Sequence, residues 1–291
     1  MKLRSLLFVP GDSEKKFARA CLSGADVLFL DLEDAVAPAM KDAARALVAG
    51  WLGQAEDVAP RLFVRVNPLD SGLTGADLAA VVRPGLAGVL IPKANGAGDV
   101  ATIAALIDPL ERAAGLTPGS VKIMVVATET PAAMFALGSY APPHPRLLGL
   151  TWGAEDLAAA IGATANKEAD GSWTEPYRIA RSLCLFAAAS AGVAPLDTLY
   201  ADFRDTAGLE ADCRKARRDG FIGRIAIHPD QVEPINRCFS PSDEDVAHAR
   251  RIVAAFAAQP DLGTIGIDGK MYDIPHLKAA HKTLNAAGDQ P

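Results

Sequence analysis

Residues 27–34 read Val27-Leu28-Phe29-Leu30-Asp31-Leu32-Glu33-Asp34, an apolar run closing in a cluster of acids. A strand with one solvated face alternates apolar and polar residues. A run without alternation therefore predicts a strand buried on both faces, as in a parallel sheet covered by helices. Similar runs recur at 3–9, 62–66, 88–91, 122–127, 147–151, 195–200 and 224–227. Alanine-rich segments between them, including 14–23, 41–52, 98–114 and 176–191, predict helices. Gly and Pro mark the joints, among them Pro10-Gly11, Pro38, Pro92, Gly119, Gly192 and Gly220. Alternating strands and helices require parallel pairing through right-handed crossovers. Eight such units favour a closed (β/α)8 barrel, a TIM barrel, over an open doubly wound sheet. The first strand is not followed by a G-x-G-x-x-G turn, which weakens the dinucleotide-binding alternative further.

After the eighth run, Ser240-Pro241-Ser242-Asp243-Glu244 predicts a helix start. Ser240 or Ser242 can cap it, Pro241 suits the first turn, and the acids favour the positive helix end. That helix is expected to run through Phe256, followed by a Gly-rich connection at 263–269 and a short helix at 275–285. Residues 1–238 are thus read as the barrel, and 239–291 as its last helix plus a C-terminal extension.

Half of the 291 residues are apolar, enough for a sizeable core, and 22% are charged, which excludes wholesale disorder. Lysine and arginine number 29 against 35 acids, a net charge of −6. That balance argues against nucleic acid or an acidic membrane surface as partner. Cys21, Cys184, Cys213 and Cys238 are scattered without a C-x-x-C pair, so reduced thiols in a cytoplasm are expected. The run Leu6-Leu7-Phe8-Val9 is too short for a signal-peptide core, and the apolar stretch 183–196 is broken by Ser190, Gly192 and Pro195.

In a barrel of this kind, chemistry sits where strands end and βα loops form one rim. The strand ends supply Pro10-Gly11, Asp31/Glu33/Asp34, Arg65/Asn67, Lys93, Glu129, Glu155/Asp156, Asp202 and His228. Several carboxylates gathered on one rim are costly unless a cation neutralises them or their protons are retained. Oxygen ligands from separate strands suit Mg2+, and the near absence of histidine disfavours zinc. Glu129 and Asp156 are the expected ligands. Glu33 and Asp34 are equally well read as ion-pair partners of Arg4, Arg65 or Lys93. Arg65 can grip a carboxylate or a developing enolate oxygen through its planar fork. Lys93, close to several acids, is read as an ion-pair lysine and not as a Schiff-base nucleophile.

Taken together, Leu6 with Phe8-Val9-Pro10-Gly11, the 30–36 stretch, Arg65-Val66-Asn67, Pro92-Lys93, Glu129-Thr130, Gly153-Ala154-Glu155-Asp156-Leu157 and Ile227-His228-Pro229 resemble the citrate lyase β subunit-like family. That family lies within the HpcH/HpaI aldolase superfamily, close to malyl-CoA and citramalyl-CoA lyases. The resemblance covers nearly the whole chain. It implies a (β/α)8 barrel, Mg2+, trimeric or hexameric assembly, and a carbon–carbon bond made or broken beside a thioester. The implied metal ligands fall on Glu129 and Asp156, and the substrate-binding arginine on Arg65. Pro10 and Asn67, in the same motifs, join Arg65 and Glu129 as expected substrate-binding residues. Met271-Tyr272-Asp273-Ile274-Pro275 resembles the tail that brings an aspartate into a neighbouring subunit's site. Asp273 therefore joins Arg65 and Glu129 as an expected catalytic residue, although a helix cap before Pro275 is an alternative use for it.

The sequence departs from the pattern at Pro131-Ala132-Ala133, where many relatives have Ala-Arg-Gly or similar. The expected activity is reversible cleavage of a β-hydroxyacyl-CoA, such as citramalyl-CoA or malyl-CoA, to acetyl-CoA and a 2-keto acid. The alternatives are an aldolase acting on free hydroxy-keto acids and a citryl-thioester lyase subunit of a citrate lyase complex. His228 is read as ordering a loop, and Trp152, Trp173 and Tyr177 as packing residues.

Overall fold

The computed structural model describes residues 1–54 and 60–288. The run that opens in the sequence at Val27 forms β2, Val27–Asp31, with all five residues buried. It is flanked by β1 (Ser5–Pro10) and β3 (Arg61–Arg65). The series continues through β4 (Leu86–Ile91), β5 (Lys122–Val126), β6 (Leu147–Thr151), β7 (Ala194–Asp197) and β8 (Gly223–Ala226). β8 pairs with β1, so the eight parallel strands close into a barrel, as the recurring buried runs predict.

Side chains alternate across each strand, so every second residue fills the barrel. Leu6, Val27, Phe29, Phe63, Leu90, Met124, Val126, Leu196 and Ile225 form that interior. Phe63 fits because β4 carries Gly88, where any Cβ would lie 2.3 Å from the Phe63 ring. Burying one such phenylalanine contributes about 2–3 kcal/mol. Gly88→Ala would force the ring out of place.

The register also decides which polar groups meet at the top. Parallel pairing sets Pro10 beside Asp31 and Asp31 beside Arg65, so β2 and β3 end in an aspartate and an arginine on one level. Helices Glu14–Cys21, Lys41–Gly53, Ala97–Ala113 and Glu175–Ala191 occupy the segments where the alanine-rich stretches predict them.

The chain divides into two compact units, residues 3–236 and residues from 237 onward. In the second unit, helix Asp243–Ala257 starts at the Ser-Pro-Ser sequence. Ser242 is the cap: its hydroxyl accepts from the Asp245 amide at 3.1 Å, and its amide donates to Asp245 Oδ2 at 3.0 Å. Pro241 therefore precedes the cap instead of occupying the first turn. The segment read as a Gly-rich connection is a β-hairpin of β9 (Thr264–Ile267) and β10 (Lys270–Asp273). Its turn residues Asp268 and Gly269 both have positive φ, 50° and 75°, the backbone that tight two-residue hairpins require. Helix Ile274–Ala287 follows, and Ile252, Phe256, Ile265 and Leu284 help form the unit's own core. Among the described residues, no helix is long and apolar enough to cross a membrane.

Candidate active site

Arg65 ends β3, and its fork grips the aspartate that ends β2. Nε donates to Asp31 Oδ1 at 2.8 Å and Nη2 to Asp31 Oδ2 at 2.6 Å. Nη1 lies 2.9 Å from Glu33 Oε2, a charge contact that is not a well-directed hydrogen bond. The guanidinium rests 4.6 Å above the Phe8 ring from β1. Burial works against the Arg65 charge, but the Asp31 hydrogen bonds and the carboxylates of Asp31, Glu33 and Glu129 raise its pKa well above the ordinary value. Arg65 is thus a permanently charged, fixed donor.

Lys93 follows β4 after Pro92 and adopts a left-handed backbone, φ 51°, uncommon for a residue with a side chain. That turn aims its amide at Glu129, donating to Oε2 at 2.6 Å. Its ammonium pairs with Glu33, with Asp34 Oδ2 at 3.1 Å and with Asp156 Oδ1 at 3.2 Å. Burial opposes the ammonium's charge, but Glu33, Asp156 and Asp34 outweigh it and raise the pKa. A lysine so held is a poor nucleophile, in line with the ion-pair reading. Glu33 and Asp34 find Lys93, with Arg65 also on Glu33, whereas Arg4 pairs with Asp26.

Glu129 follows β5 and is only 5% exposed. Burial pushes its carboxyl up to about 8, and the nearby charges of Asp156 and Glu33 add to that, against the opposing Lys93 amide and Arg65. Gly153 makes room for it: a Cβ there would lie 2.8 Å from Glu129 Cγ. The next residue, Thr130, caps helix Pro131–Ala136 by accepting from the Ala133 amide at 3.1 Å, and its hydroxyl donates to Asn95 Oδ1 at 2.6 Å. The Pro131-Ala132-Ala133 departure thus builds a capped turn beside the carboxylate. Asp156 lies in the first turn of helix Glu155–Ile161, about one-third exposed.

Phe8, Arg65, Glu129, Asp156, Trp152 and Trp173 are among the residues lining one pocket of about 540 Å³, its open mouth included. Trp152 is both wall and anchor. Its indole N–H donates to Asp197 Oδ1 at 2.6 Å, and its ring meets Trp173 edge to face at 5.1 Å. Tyr177 is buried behind Trp173 and serves packing.

Pro10 and Asn67 do not line that pocket. Asn67 is buried, with its amide committed to Asp77 Oδ2 at 2.7 Å and the Leu32 carbonyl at 3.0 Å, so it braces the loop beyond β3. Pro10 hands the chain to Gly11, whose amide bonds the Asp31 carbonyl at 2.8 Å. Asp273, in the second unit, caps helix Ile274–Ala287: its Oδ1 accepts from the His276 amide at 3.4 Å and lies 2.5 Å from His276 Nδ1. His228 accepts from the Asp230 amide at 3.2 Å and stacks on Phe203, ordering its loop as expected. Phe8, Lys93 and Gly153 all stand in the quoted motifs, but their roles here, the ring under Arg65, the left-handed turn that aims an amide at Glu129 and the space left for Glu129, were not read from them.

Among the described residues, no three Asp, Glu, His or Cys side chains converge as a metal cage. A pair of carboxylates still fits Mg2+, which commonly takes one or two and keeps waters for the rest. The raised pKa of Glu129 marks a buried carboxylate short of positive charge, the deficit a hard divalent cation would relieve. Glu129 and Asp156 are the residues that could hold one.

Residues 4–229 match the family described as HpcH/HpaI aldolase/citrate lyase. The citrate lyase subunit beta of Escherichia coli (strain K12) is 36% identical over 98% of this chain and 93% of its own length. A (3S)-malyl-CoA thioesterase of Cereibacter sphaeroides (strain KD131 / KCTC 12085) is 36% identical over 98% of this chain and 94% of its own. Among solved structures, the protein CitE of Mycobacterium tuberculosis, in complex with magnesium, acetoacetate and coenzyme A, superposes with a TM-score of 0.77. It is 33% identical, over 98% of this chain and 97% of that one. A citrate lyase of Burkholderia xenovorans LB400 gives a TM-score of 0.85 at 25% identity, over 98% of this chain and 91% of that one.

Proposed function

The chain belongs to the HpcH/HpaI aldolase/citrate lyase family, and from that premise we propose that it is a Mg2+-dependent acyl-CoA lyase. Its reaction is reversible cleavage of a β-hydroxyacyl-CoA of the citramalyl-CoA or malyl-CoA class to acetyl-CoA and a 2-keto acid. One observation carries this reading: a fixed, charged Arg65 and the carboxylates Glu129 and Asp156 share one pocket. The relative crystallised with magnesium, acetoacetate and coenzyme A supports it.

Glu129 and Asp156 would hold the Mg2+, which when bound supplies Lewis-acid polarisation of substrate oxygens. Transfer of the hydroxyl proton to one of the rim carboxylates Glu33, Asp34 or Glu155 lets the Cα–Cβ electron pair leave toward the thioester, releasing the keto acid and the acetyl-CoA enolate. Arg65, locked by Asp31, presents its remaining N–H donors to the enolate oxygen and needs no reorganisation as charge develops there. A proton delivered to the enolate carbon completes acetyl-CoA. We assign that delivery to Asp273 of a neighbouring subunit in a trimer or hexamer, following the family resemblance.

The pocket also speaks to the acid released. Among its described lining residues, Arg65 is the one cation, and Asp31 and Glu33 already face it. A one-carboxylate product such as pyruvate or glyoxylate meets less uncompensated negative charge here than oxaloacetate from a citryl thioester would. Product analysis tests the reading. Full-length protein with Mg2+ is incubated with citramalyl-CoA, malyl-CoA, citryl-CoA and the free hydroxy-keto acids. Acetyl-CoA with equimolar pyruvate or glyoxylate is expected. Preference for citryl-CoA, for the free acids, or release of free CoA without cleavage would replace this reading.

A further inference from the structure

Thr151 closes β6 and is only 3% exposed, yet its hydroxyl has no hydrogen-bond partner. Parallel register pairs it with Val126, a member of the barrel's inner core. Paired residues of neighbouring strands point to the same face, so Thr151 points into the barrel. It lines the active-site pocket with Phe8, Val126, Leu199 and Ile225, all apolar, and with Arg65 and Glu129 among the charged groups. A buried hydroxyl left unpaired among apolar neighbours is costly, and such orphans are rare unless a ligand or water meets them.

We propose that the Thr151 hydroxyl is a substrate-binding group that donates to the carboxylate of the small keto-acid fragment. This assignment rests on the acyl-CoA lyase reading above. Position within the barrel selects that fragment over the thioester. Thr151 lies at the end of β6, inside the barrel, whereas the bulk of CoA exceeds this pocket and must stay toward the open mouth, so the thioester approaches from that side and the small fragment lies inward of it. Of the two threonines on that lining, Thr151 and Thr198, it is Thr151 whose buried hydroxyl is without a partner, able to orient a carboxylate whose second oxygen is left for the cation side of the pocket, at Arg65.

Thr151→Val keeps the shape and removes the hydroxyl. Steady-state kinetics in the condensing direction, with acetyl-CoA, Mg2+ and pyruvate or glyoxylate, read the two substrates separately. The KM for the keto acid is expected to rise about tenfold, the loss of roughly one hydrogen bond, with the KM for acetyl-CoA changed less than about twofold. The melting temperature should hold or rise, because the unpaired polar group is gone, and Thr151→Ser should recover most of the lost keto-acid affinity. An unchanged keto-acid KM, an equal rise in both KM values, or no recovery by Thr151→Ser overturns the assignment while leaving the lyase reading intact. Failure of the wild type to form any acyl-CoA product from these substrates overturns the lyase reading, and this assignment with it.

Discussion

Lys93 holds Glu129 by its main chain and not by its ammonium: the amide donates to Oε2 at 2.6 Å, from a backbone at φ 51°. The side chain is thereby free to reach Asp156 at 3.2 Å. One residue ties together both carboxylates assigned to the metal, through two different groups.

Removing the ammonium while keeping the amide separates those tasks. Lys93→Met should leave the amide bond to Glu129 in place but deprive Glu33 of one of its two cations. Because Lys93 is about 30% exposed, the cost is set below that of a fully buried pair, at about 1–2 kcal/mol. Urea unfolding should show that loss, and activity should fall with it; an unaltered midpoint contradicts the pairing.

Gly153 offers a test of how closely Glu129 is seated. A methyl at that position would meet Glu129 Cγ at 2.8 Å and Oε1 at 3.0 Å. Gly153→Ala should lower kcat/KM by about tenfold or more, as a catalytic group moved by a fraction of an ångström does, while circular dichroism stays native. Full activity in the variant would mean that Glu129 tolerates displacement and is not a positioned ligand.

Asp273 can be probed by complementation. Asp273→Asn and Glu129→Gln should each be inactive alone, and mixed oligomers formed after partial unfolding and refolding should regain part of the wild-type rate. No recovery, from mixtures shown by mass spectrometry to contain both chains, would leave Asp273 as the helix cap that the structure describes.

Away from the site, acid stability should report Glu111. Its carboxylate is fully buried. It accepts from Arg146 Nη1 and Nη2 at 2.7 and 2.6 Å and from the amides of Val121 and Gly119, both at 2.8 Å. Burial alone would raise the carboxyl, but Arg146 and the two amides hold it at about 2, below the ordinary 4.5. The folded state therefore binds this proton less readily than the unfolded chain. The stabilisation, about 3 kcal/mol, is complete above pH 4.5 and is lost as pH falls toward 2. Glu111→Gln should flatten that part of the stability–pH curve; an identical acid limb in both proteins contradicts it.

The barrel was legible because strands buried on both faces leave continuous apolar runs, and those from Val27 and Leu147 match β2 and β6 closely. The hairpin was not. Four-residue strands around Gly266 carry little pattern, and the Asp268-Gly269 turn reads as one more glycine loop. In the site, Arg65, Glu129 and Asp156 were readable from residue type and strand-end position. The partners of the remaining charges were not, since Arg4 and Asp26 both lie at the starts of their strands, away from the rim acids. The unpaired hydroxyl of Thr151 was beyond reach altogether: its meaning depends on the barrel register that turns it inward and on what surrounds it there.

The most direct test follows acetyl-CoA formation from citramalyl-CoA or malyl-CoA by the purified full-length chain, titrated with Mg2+ after EDTA treatment, beside Glu129→Gln and Asp156→Asn. Cleavage that is absent without metal, saturates with Mg2+ in the wild type and is lost at least about a hundredfold in both variants is the predicted result. Cleavage indifferent to EDTA, or wild-type rates in either variant, would contradict the account.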